Sequence, residues 1–264
     1  MVSATDEAPT RRRPPGSRGA LAAAVVLLAG ATSGCAMGNH YPYHQGQFAV
    51  EQRGSIAVAV AVQDARDEVE SGNKDPSFVG LQRAGFGNPF DVATESGRPF
   101  AEDVTTVVTR SLHAAGYQVR LVNAEVEEPA ASVIKALGGT GARRLLFVHI
   151  NRWKTDTLVH VGLDYAVSLQ VFDEVGRPLA RSVVSGHDNL GSSLLNPNGR
   201  AAEGGPNALR SCLMRLFRDR GVTAAMAVAG APSGPSVEAP AAALPTSESA
   251  PSPASAASGN PEPQ

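Results

Sequence analysis

The sequence contains only two cysteines in 264 residues, Cys35 and Cys212, so no disulfide framework can hold the fold together. At most one bridge can form, and none can form if Cys35 is modified. After residue 31 there is no apolar stretch long enough to cross the roughly 30 Å hydrocarbon layer of a membrane as a helix. Basic residues are also few, because 19 Lys and Arg after residue 34 stand against 23 Asp and Glu. This balance argues against a nucleic-acid-binding protein.

Motifs of catalysis and cofactor binding are missing as well. The sequence has no Gly-x-Ser-x-Gly elbow, no P-loop, no HExxH and no CxxC. The segment Gly85-Phe86-Gly87 lacks the third glycine and the strand-to-helix setting that a dinucleotide site requires. We therefore predict a protein that is not an enzyme and has no catalytic residues and no cofactor.

Two groups of histidines are candidates for a metal or catalytic site in the second half of the chain. His149 and His160 face each other across a predicted hairpin, with Asp164 nearby. A slip of one residue in the register would send either ring to the opposite face. His187 and Asp188 are adjacent in a predicted strand, so their side chains point to opposite faces. We predict no metal site.

Residues 1–34 have the pattern of an export signal. A basic region with four arginines precedes the apolar stretch 20–31, and small residues follow. Twelve helical residues rise only about 18 Å, so the stretch predicts a signal peptide and not a permanent span. The next four residues, Thr32-Ser33-Gly34-Cys35, resemble a bacterial lipobox, although Thr32 departs from the usual Leu. Ordinary secretion, with cleavage after residues 29–31, is the alternative.

Lipidation of Cys35 would anchor the mature protein to a membrane. The resemblance to lipoproteins implies several acyl chains, and two or more chains give stable anchoring where one gives only marginal binding. Ala36 follows the cysteine, in place of the Asp that signals retention in the inner membrane. We predict a location in the periplasmic leaflet of the outer membrane. A soluble periplasmic protein is the alternative.

Two segments flank the predicted domain. Residues 35–50 indicate a tether, in which Pro42 argues against a helix that would place His40 and His44 on one face as metal ligands. Residues 223–264 indicate a tail rich in Pro, Ala and Ser. Such a composition buries too little apolar surface to offset the entropy of ordering, so we predict a disordered tail.

Residues 51–222 predict one α+β domain. In residues 55–64 valines and alanines alternate, which indicates a central strand with two apolar faces. The sequence further predicts helices starting at Phe100 and Ala130, a last helix starting at Pro206 with Cys212 on its buried face, and a turn near residues 155–156. The predicted order is β-α-β-α-β-β-β-α, a mixed sheet of about five strands with helices mainly on one face. The predicted strands are 55–64, 117–122, 144–154, 159–171 and 179–188.

The segment 65–98 is predicted to be an unusually long loop. Connections in compact domains usually have about four to six residues, and much longer ones are generally functional or disordered. Its apolar side chains alone cannot offset the entropy of ordering its backbone. The loop is therefore either a lid that is hydrogen-bonded across the sheet or a segment that binds a partner. The candidate partner-binding residues are Phe78, Leu81, Arg83, Phe86 and Phe90.

The order of these elements resembles the uncharacterised YajG-type lipoproteins of Gram-negative bacteria. The likeness is carried by the Cys35 box, the strand and charged turn IAVAVAVQDARDE, the helix ending LHAAGYQV and the strand centred on Tyr165. FVGLQRAGFGNPFDV resembles a stretch of hypothetical proteobacterial lipoproteins, and the corresponding loop of YajG-type proteins is shorter. The family has no agreed molecular function. The resemblance implies a location and a fold, and no catalytic residues.

The sequence thus favours a non-enzymatic, periplasm-facing membrane lipoprotein that binds or assembles with another envelope component, such as an envelope protein. The alternative is a lipid or small-ligand carrier that serves as auxiliary lipoprotein of an export or ABC transport system. An apolar cavity beneath the long loop would favour the carrier. A flat apolar patch rimmed by polar residues would favour a protein partner.

Overall fold

The computed structural model describes residues 39–83, 87–192 and 196–227. The predicted signal peptide, Cys35, Phe86 and the predicted tail beyond residue 227 lie outside this part of the chain. The described residues form eight strands and five helices. In chain order these are β1 (His40–Tyr41), β2 (Ala57–Asp64), α1 (Asp67–Glu70), β3 (Phe78–Arg83), β4 (Pro89–Thr94), α2 (Phe100–Ala114), β5 (Gln118–Leu121), α3 (Ala130–Gly139), β6 (Arg144–Thr157), β7 (His160–Phe172), β8 (Pro178–Ser192), α4 (Pro197–Phe217) and α5 (Arg220–Ala227).

All eight strands belong to one mixed sheet organised around the long strand β6. On one side, β2 pairs in parallel with the first half of β6, and β3 pairs in parallel with its last residues. On the other side, β7 runs antiparallel to almost the whole of β6, and β8 pairs with β7. Strand β5 completes the sheet beyond β2, while β4 and then β1 follow beyond β3. Strand β6 has 14 residues and is therefore long enough to pair with two different strands along one edge.

The sheet separates two hydrophobic cores. Helices α2, α4 and α5 bury their apolar side chains on one face, together with Val58, Val60 and Val62 of β2. Helix α3 covers the other face, where it meets Ala59 and Ala61 of the same strand. The alternation of valine and alanine therefore assigns one face of β2 to each core, which agrees with the predicted central strand with two apolar faces.

The α+β class and the placement of helices mainly on one face are confirmed, but the strand count is higher than predicted. The additional strands are β1, β3 and β4. Strand β1 lies in the segment predicted to be a tether, where Tyr41 and Tyr43 are fully buried and Phe48 is nearly so. The described residues of that segment therefore belong to the domain, because these aromatic rings join the larger core.

The segment 65–98 is not one irregular loop. It contains the short helix α1 and the antiparallel pair β3 and β4, which we call the hairpin. The strand period is hidden in the sequence because Phe78 and Val79 are both buried and the register shifts between Phe78 and Gly80. A bulge of this kind breaks the simple alternation on which strand prediction depends.

The C-terminal elements also begin and end differently from the prediction. Helix α4 starts at Pro197, where the Asn196 side chain accepts a hydrogen bond from the Gly199 backbone N–H, and Pro206 lies inside the helix. The turn between β6 and β7 lies at residues 158–159, and β8 continues to Ser192. Residues 223–227, predicted to be tail, belong to α5, which buries Val222, Ala225 and Met226. No helix in the described ranges is long and apolar enough to cross a membrane.

Candidate contact surface at the β3–β4 hairpin

The hairpin has a buried half and an exposed half. The inner half comprises residues 78–80 and 92–94, and the outer half comprises residues 81–83 and 89–91. In the inner half Phe78 is only 3% exposed, while Val79 and Val92 are completely buried. Phe78 was predicted to be a partner-binding residue, and the structure places it in the core instead, where no partner can reach it.

The inner half is held in place by Arg66, which is fully buried. Its guanidinium donates to both carboxylate oxygens of Asp64, at 2.7 and 2.6 Å. It also donates to the backbone carbonyls of Phe78 at 2.5 Å and Trp153 at 3.3 Å. A buried charge of this kind is tolerated only where a counter-ion and hydrogen bonds compensate it. Arg66 therefore joins β2, β3 and β6 at one point and is a structural residue.

The space between the hairpin and the rest of the domain is filled. A Cβ atom on Gly80 would lie 2.0 Å from Oγ1 of Thr155 and 2.5 Å from its carbonyl oxygen, so the two strands are in close contact. The Trp153 indole donates to the Tyr43 hydroxyl at 3.0 Å, and both rings pack around Phe100. Desolvation by this packing raises the pKa of the Tyr43 phenol, which stays protonated. The inner half of the hairpin therefore packs closely against the rest of the domain.

The outer half presents Leu81, Arg83 and Phe90. Arg83 forms a two-point ion pair with Asp156 of β6, with N–O distances of 2.8 and 2.6 Å. Hydrogen bonding to Arg83 lowers the pKa of the Asp156 carboxyl. Phe90 is 48% exposed, and Leu81 is half-buried. Of the five predicted contact residues, Arg83 and Phe90 are partly exposed, Leu81 is half-buried, and Phe86 lies outside the described residues.

A second candidate is a cleft of about 380 Å³ between the β7–β8 pair and helix α4. Tyr165 lies in it, and its hydroxyl accepts a hydrogen bond from Arg215 at 3.2 Å. Partial burial raises the pKa of Tyr165, and deeper burial raises the pKa of the Cys212 thiol to about 12. Cys212 is therefore a buried, protonated thiol, as the sequence predicts. The alternation of apolar and polar residues along β7 predicted that Tyr165 lies on the core side. No sequence pattern indicated this cleft.

This cleft has a lining of mixed polar and apolar character, which suits a lipid chain less well than an apolar cavity would. Its volume falls near the lower end of the range typical of small-molecule sites, about 300 to 1,000 Å³. Charged and amide side chains contribute a large part of the wall, namely Asp188, Arg200, Glu203, Asn207 and Arg215.

The candidate histidines do not come together. In the β6–β7 pairing His149 is opposite Ser168, and His160 is opposite Ser192 of β8, so the two rings do not face each other. His187 Nδ1 lies 2.6 Å from the Asp164 carboxylate on the exposed face of the sheet. Among the described residues there is no group of three or more His, Cys, Asp or Glu side chains that could hold a metal ion.

Comparison with known proteins gives similarity in structure only. No family model matches the sequence, and no curated protein matches it. Protein XCC0632 from Xanthomonas campestris, of family DUF330, is 11% identical with a TM-score of 0.43, covering 68% of this chain and 92% of that chain. PelC from Paraburkholderia phytofirmans, described as a dodecamer, is 14% identical with a TM-score of 0.34, covering 65% and 94%. Lipoprotein GNA1162 from Neisseria meningitidis is 12% identical with a TM-score of 0.29, covering 59% and 99%.

These similar structures come from Gram-negative bacteria and include a lipoprotein. At such identities and TM-scores they assign no role to any residue of this chain. The resemblance to YajG-type lipoproteins stays a prediction, because no YajG-type protein is among these three structures.

Proposed function

We propose that this protein is a non-enzymatic lipoprotein, anchored through Cys35 to the periplasmic leaflet of the outer membrane, whose outer hairpin half contacts another component of the cell envelope. The observation that carries the proposal is the division of the hairpin. Its inner half is fixed in the core, while Phe90 in its outer half leaves 48% of its surface exposed. An aromatic side chain exposed on a rigid support is suited to making contacts outside the domain.

The position of the first described residue supports a link between the anchor and the hairpin. The Asn39 carbonyl accepts a hydrogen bond from the Ala93 backbone N–H at 3.1 Å, and its side-chain amide contacts Gln82. Cys35 lies four residues earlier in the sequence. Four residues span at most about 14 Å, so a lipid on Cys35 would lie close to the hairpin.

A contact surface explains the structure better than a carrier does. The space under the hairpin is occupied by Arg66, Trp153 and Tyr43, all completely buried. The cleft beside α4 has a lining of mixed polar and apolar character with several charged side chains. A lipid carrier needs an apolar cavity large enough for an acyl chain, and the packed space under the inner half of the hairpin does not provide one.

Site-specific photocrosslinking in cells tests the proposed surface. A photoreactive phenylalanine is placed at Leu81 or at Phe90 and, as a matched exposed control, at Val175 in the turn between β7 and β8. We expect adducts with an envelope component from residues 81 and 90 and none from residue 175. Absence of adducts at both hairpin positions, with normal protein levels, would contradict the proposed surface.

Metabolic labelling with palmitate tests the anchor. We expect label on the native protein and on a Cys212→Ala variant, and none on a Cys35→Ala variant. Label that persists after Cys35→Ala would refute lipidation at this residue, whatever the crosslinking result.

A further inference from the structure

The outer half of the β3–β4 hairpin lies beside the turn between β6 and β7 at one end of the sheet. Gln82 of β3 is opposite Phe90 of β4 on one side and opposite Thr157 of β6 on the other. Adjacent strands are about 4.8 Å apart, so Phe90 and Thr157 are separated by roughly 10 Å. The turn between β6 and β7, residues 158–159, follows Thr157 directly. The outer half of the hairpin and this turn therefore form one end surface of the sheet.

This end surface carries exposed apolar side chains. Phe90 and Leu158 are each 48% exposed, and Val159 is 38% exposed. We call these three residues the apex. The turn at the other end of β7 also exposes one apolar side chain, Val175, but there the Asp173 carboxylate accepts hydrogen bonds from the backbone N–H groups of Val175 and Arg177.

Two ion pairs lie near the apex. Arg83 is paired with Asp156, and Lys74 is paired with Asp91 at 2.6 Å. Neither of these two carboxylates is left without a cation. An uncompensated carboxylate would resist transfer from water toward an apolar phase, and pairing reduces that cost. The apex is therefore suited to a boundary between water and lipid.

The start of β1 points toward the same end. Strand β1 runs parallel to β4, with His40 opposite Ala93. Strand β4 starts in the outer half of the hairpin, so the first residue of β1 lies on the side of β1 that faces this half. Cys35 is within about 14 Å of Asn39. A lipid attached there places the apex at the membrane surface.

We propose that the apex rests in the phospholipid headgroup layer of the membrane that holds the anchor. The proposal rests on the proposed lipidation and names the envelope component that the hairpin meets. Three exposed side chains alone bind a bilayer weakly, but tethering through Cys35 makes their insertion an intramolecular step. The strands β6 and β7 then lead away from the membrane. The 13 residues of β7 place the turn between β7 and β8 roughly 40 Å from the apex.

The test measures the depth of a tryptophan at each end of β7. Full-length Leu158→Trp and Val175→Trp variants are purified in lipidated form and reconstituted into phosphatidylethanolamine and phosphatidylglycerol vesicles with brominated acyl chains. Bromine quenches tryptophan only at short range. The unsubstituted protein, with its single buried Trp153, gives the background. We expect quenching of at least half of the added signal at residue 158 and none at residue 175.

Equal signals at residues 158 and 175 in protein shown by intact mass to carry lipid would overturn the apex proposal and leave the anchor standing. If the mass shows no lipid, the anchor proposal fails, and the Cys35 thiol is then coupled to a maleimide phospholipid in the same vesicles. Selective quenching at residue 158 would still support the apex, and its absence would overturn it. Cys212 does not compete for the maleimide, since it is 3% exposed.

Discussion

The inner and outer halves of the β3–β4 hairpin are continuous in sequence and differ in almost every physical property. In the inner half, Phe78 is buried and its carbonyl is bound by a buried guanidinium, that of Arg66. In the outer half, Phe90 is half exposed and the guanidinium of Arg83 is partly exposed to solvent. The comparison shows how a segment rich in Phe and Gly can supply both a fixed support and a free surface. Stability should reside in the inner half, and contacts outside the domain should reside in the outer half.

Arg66→Ala should give the largest loss of stability. The substitution leaves the Asp64 carboxylate buried without its counter-ion and removes the donors to the Phe78 and Trp153 carbonyls. Breaking a buried pair in this way typically costs about 3 to 5 kcal/mol. Urea unfolding followed by circular dichroism measures the free energy of unfolding. A loss below about 1 kcal/mol would show that Arg66 is not the residue that fixes the inner half.

A double variant, Asp64→Asn with Arg66→Met, serves as the control for that experiment. It removes both charges together, so no uncompensated ion stays in the core. Replacing a complete buried pair with uncharged side chains is often close to neutral. The double variant should therefore recover part of the stability that Arg66→Ala loses.

Gly80→Ala should destabilise the protein less than Arg66→Ala does. The added methyl group would lie 2.0 Å from Thr155 Oγ1 and 2.5 Å from a backbone oxygen, so strands β3 and β6 would have to separate. Overpacking of this kind usually costs about 1 to 3 kcal/mol. Gly139→Ala is the matched control, because a Cβ there meets nothing within 4 Å, and it should be neutral or slightly stabilising. Equal unfolding free energies for the two variants would show that the strands tolerate the extra atom.

Gly80 and Tyr43 also show why part of the fold was not predictable from sequence. In β2, α2 and β7 the apolar residues recur at the regular spacing of a strand or a helix. Sequence periodicity therefore predicts these elements. The inner hairpin half depends on contacts between distant residues. Trp153 and Tyr43 are 110 residues apart and meet through a hydrogen bond and an edge-on ring contact. Tyr43 therefore looks like part of a tether when only its neighbours in sequence are considered.

The role of Arg66 in the inner half could not be predicted from sequence for a related reason. It lies in the charged stretch DARDE, which has the composition of a solvated turn. Its burial depends on carbonyl groups supplied by β3 and β6, and no side-chain pattern records where a backbone oxygen will lie. The outer half was easier to recognise. Leu81, Arg83 and Phe90 were picked out by composition, and the structure places them at the surface or half-buried near it.

Arg83→Ala should have a smaller effect than Gly80→Ala, because the pair with Asp156 is partly exposed to solvent. The loss of unfolding free energy caused by Arg83→Ala should depend on pH. The Asp156 pKa is lowered in the folded state from its usual 3.8, mainly by hydrogen bonding to Arg83. A lowered carboxyl pKa stabilises the fold above the unfolded pKa, and this contribution is lost as pH falls through the folded pKa.

The difference in unfolding free energy between native protein and Arg83→Ala should therefore be present at neutral pH and disappear in acid. Urea titrations at a series of pH values from neutral down to about 3 measure it. Added salt at neutral pH should also reduce the difference, since exposed charges are screened. A difference that stays constant with pH would indicate that Arg83 acts through packing of its aliphatic stem and not through its charge.

Phe90→Ala should have almost no effect on stability, within about 0.5 kcal/mol, since surface substitutions outside special sites usually fall in that range. Phe78→Ala, the same change on the paired strand, removes a ring that is 3% exposed and should cost about 3 to 5 kcal/mol. Both variants delete the same atoms, so the difference between their urea midpoints isolates burial from side-chain chemistry. If Phe90→Ala were as destabilising as Phe78→Ala, the outer half would be part of the core and not a contact surface. If Phe90→Ala left stability intact and also weakened envelope crosslinking from residue 81, the same ring would be dispensable for folding and required for contact.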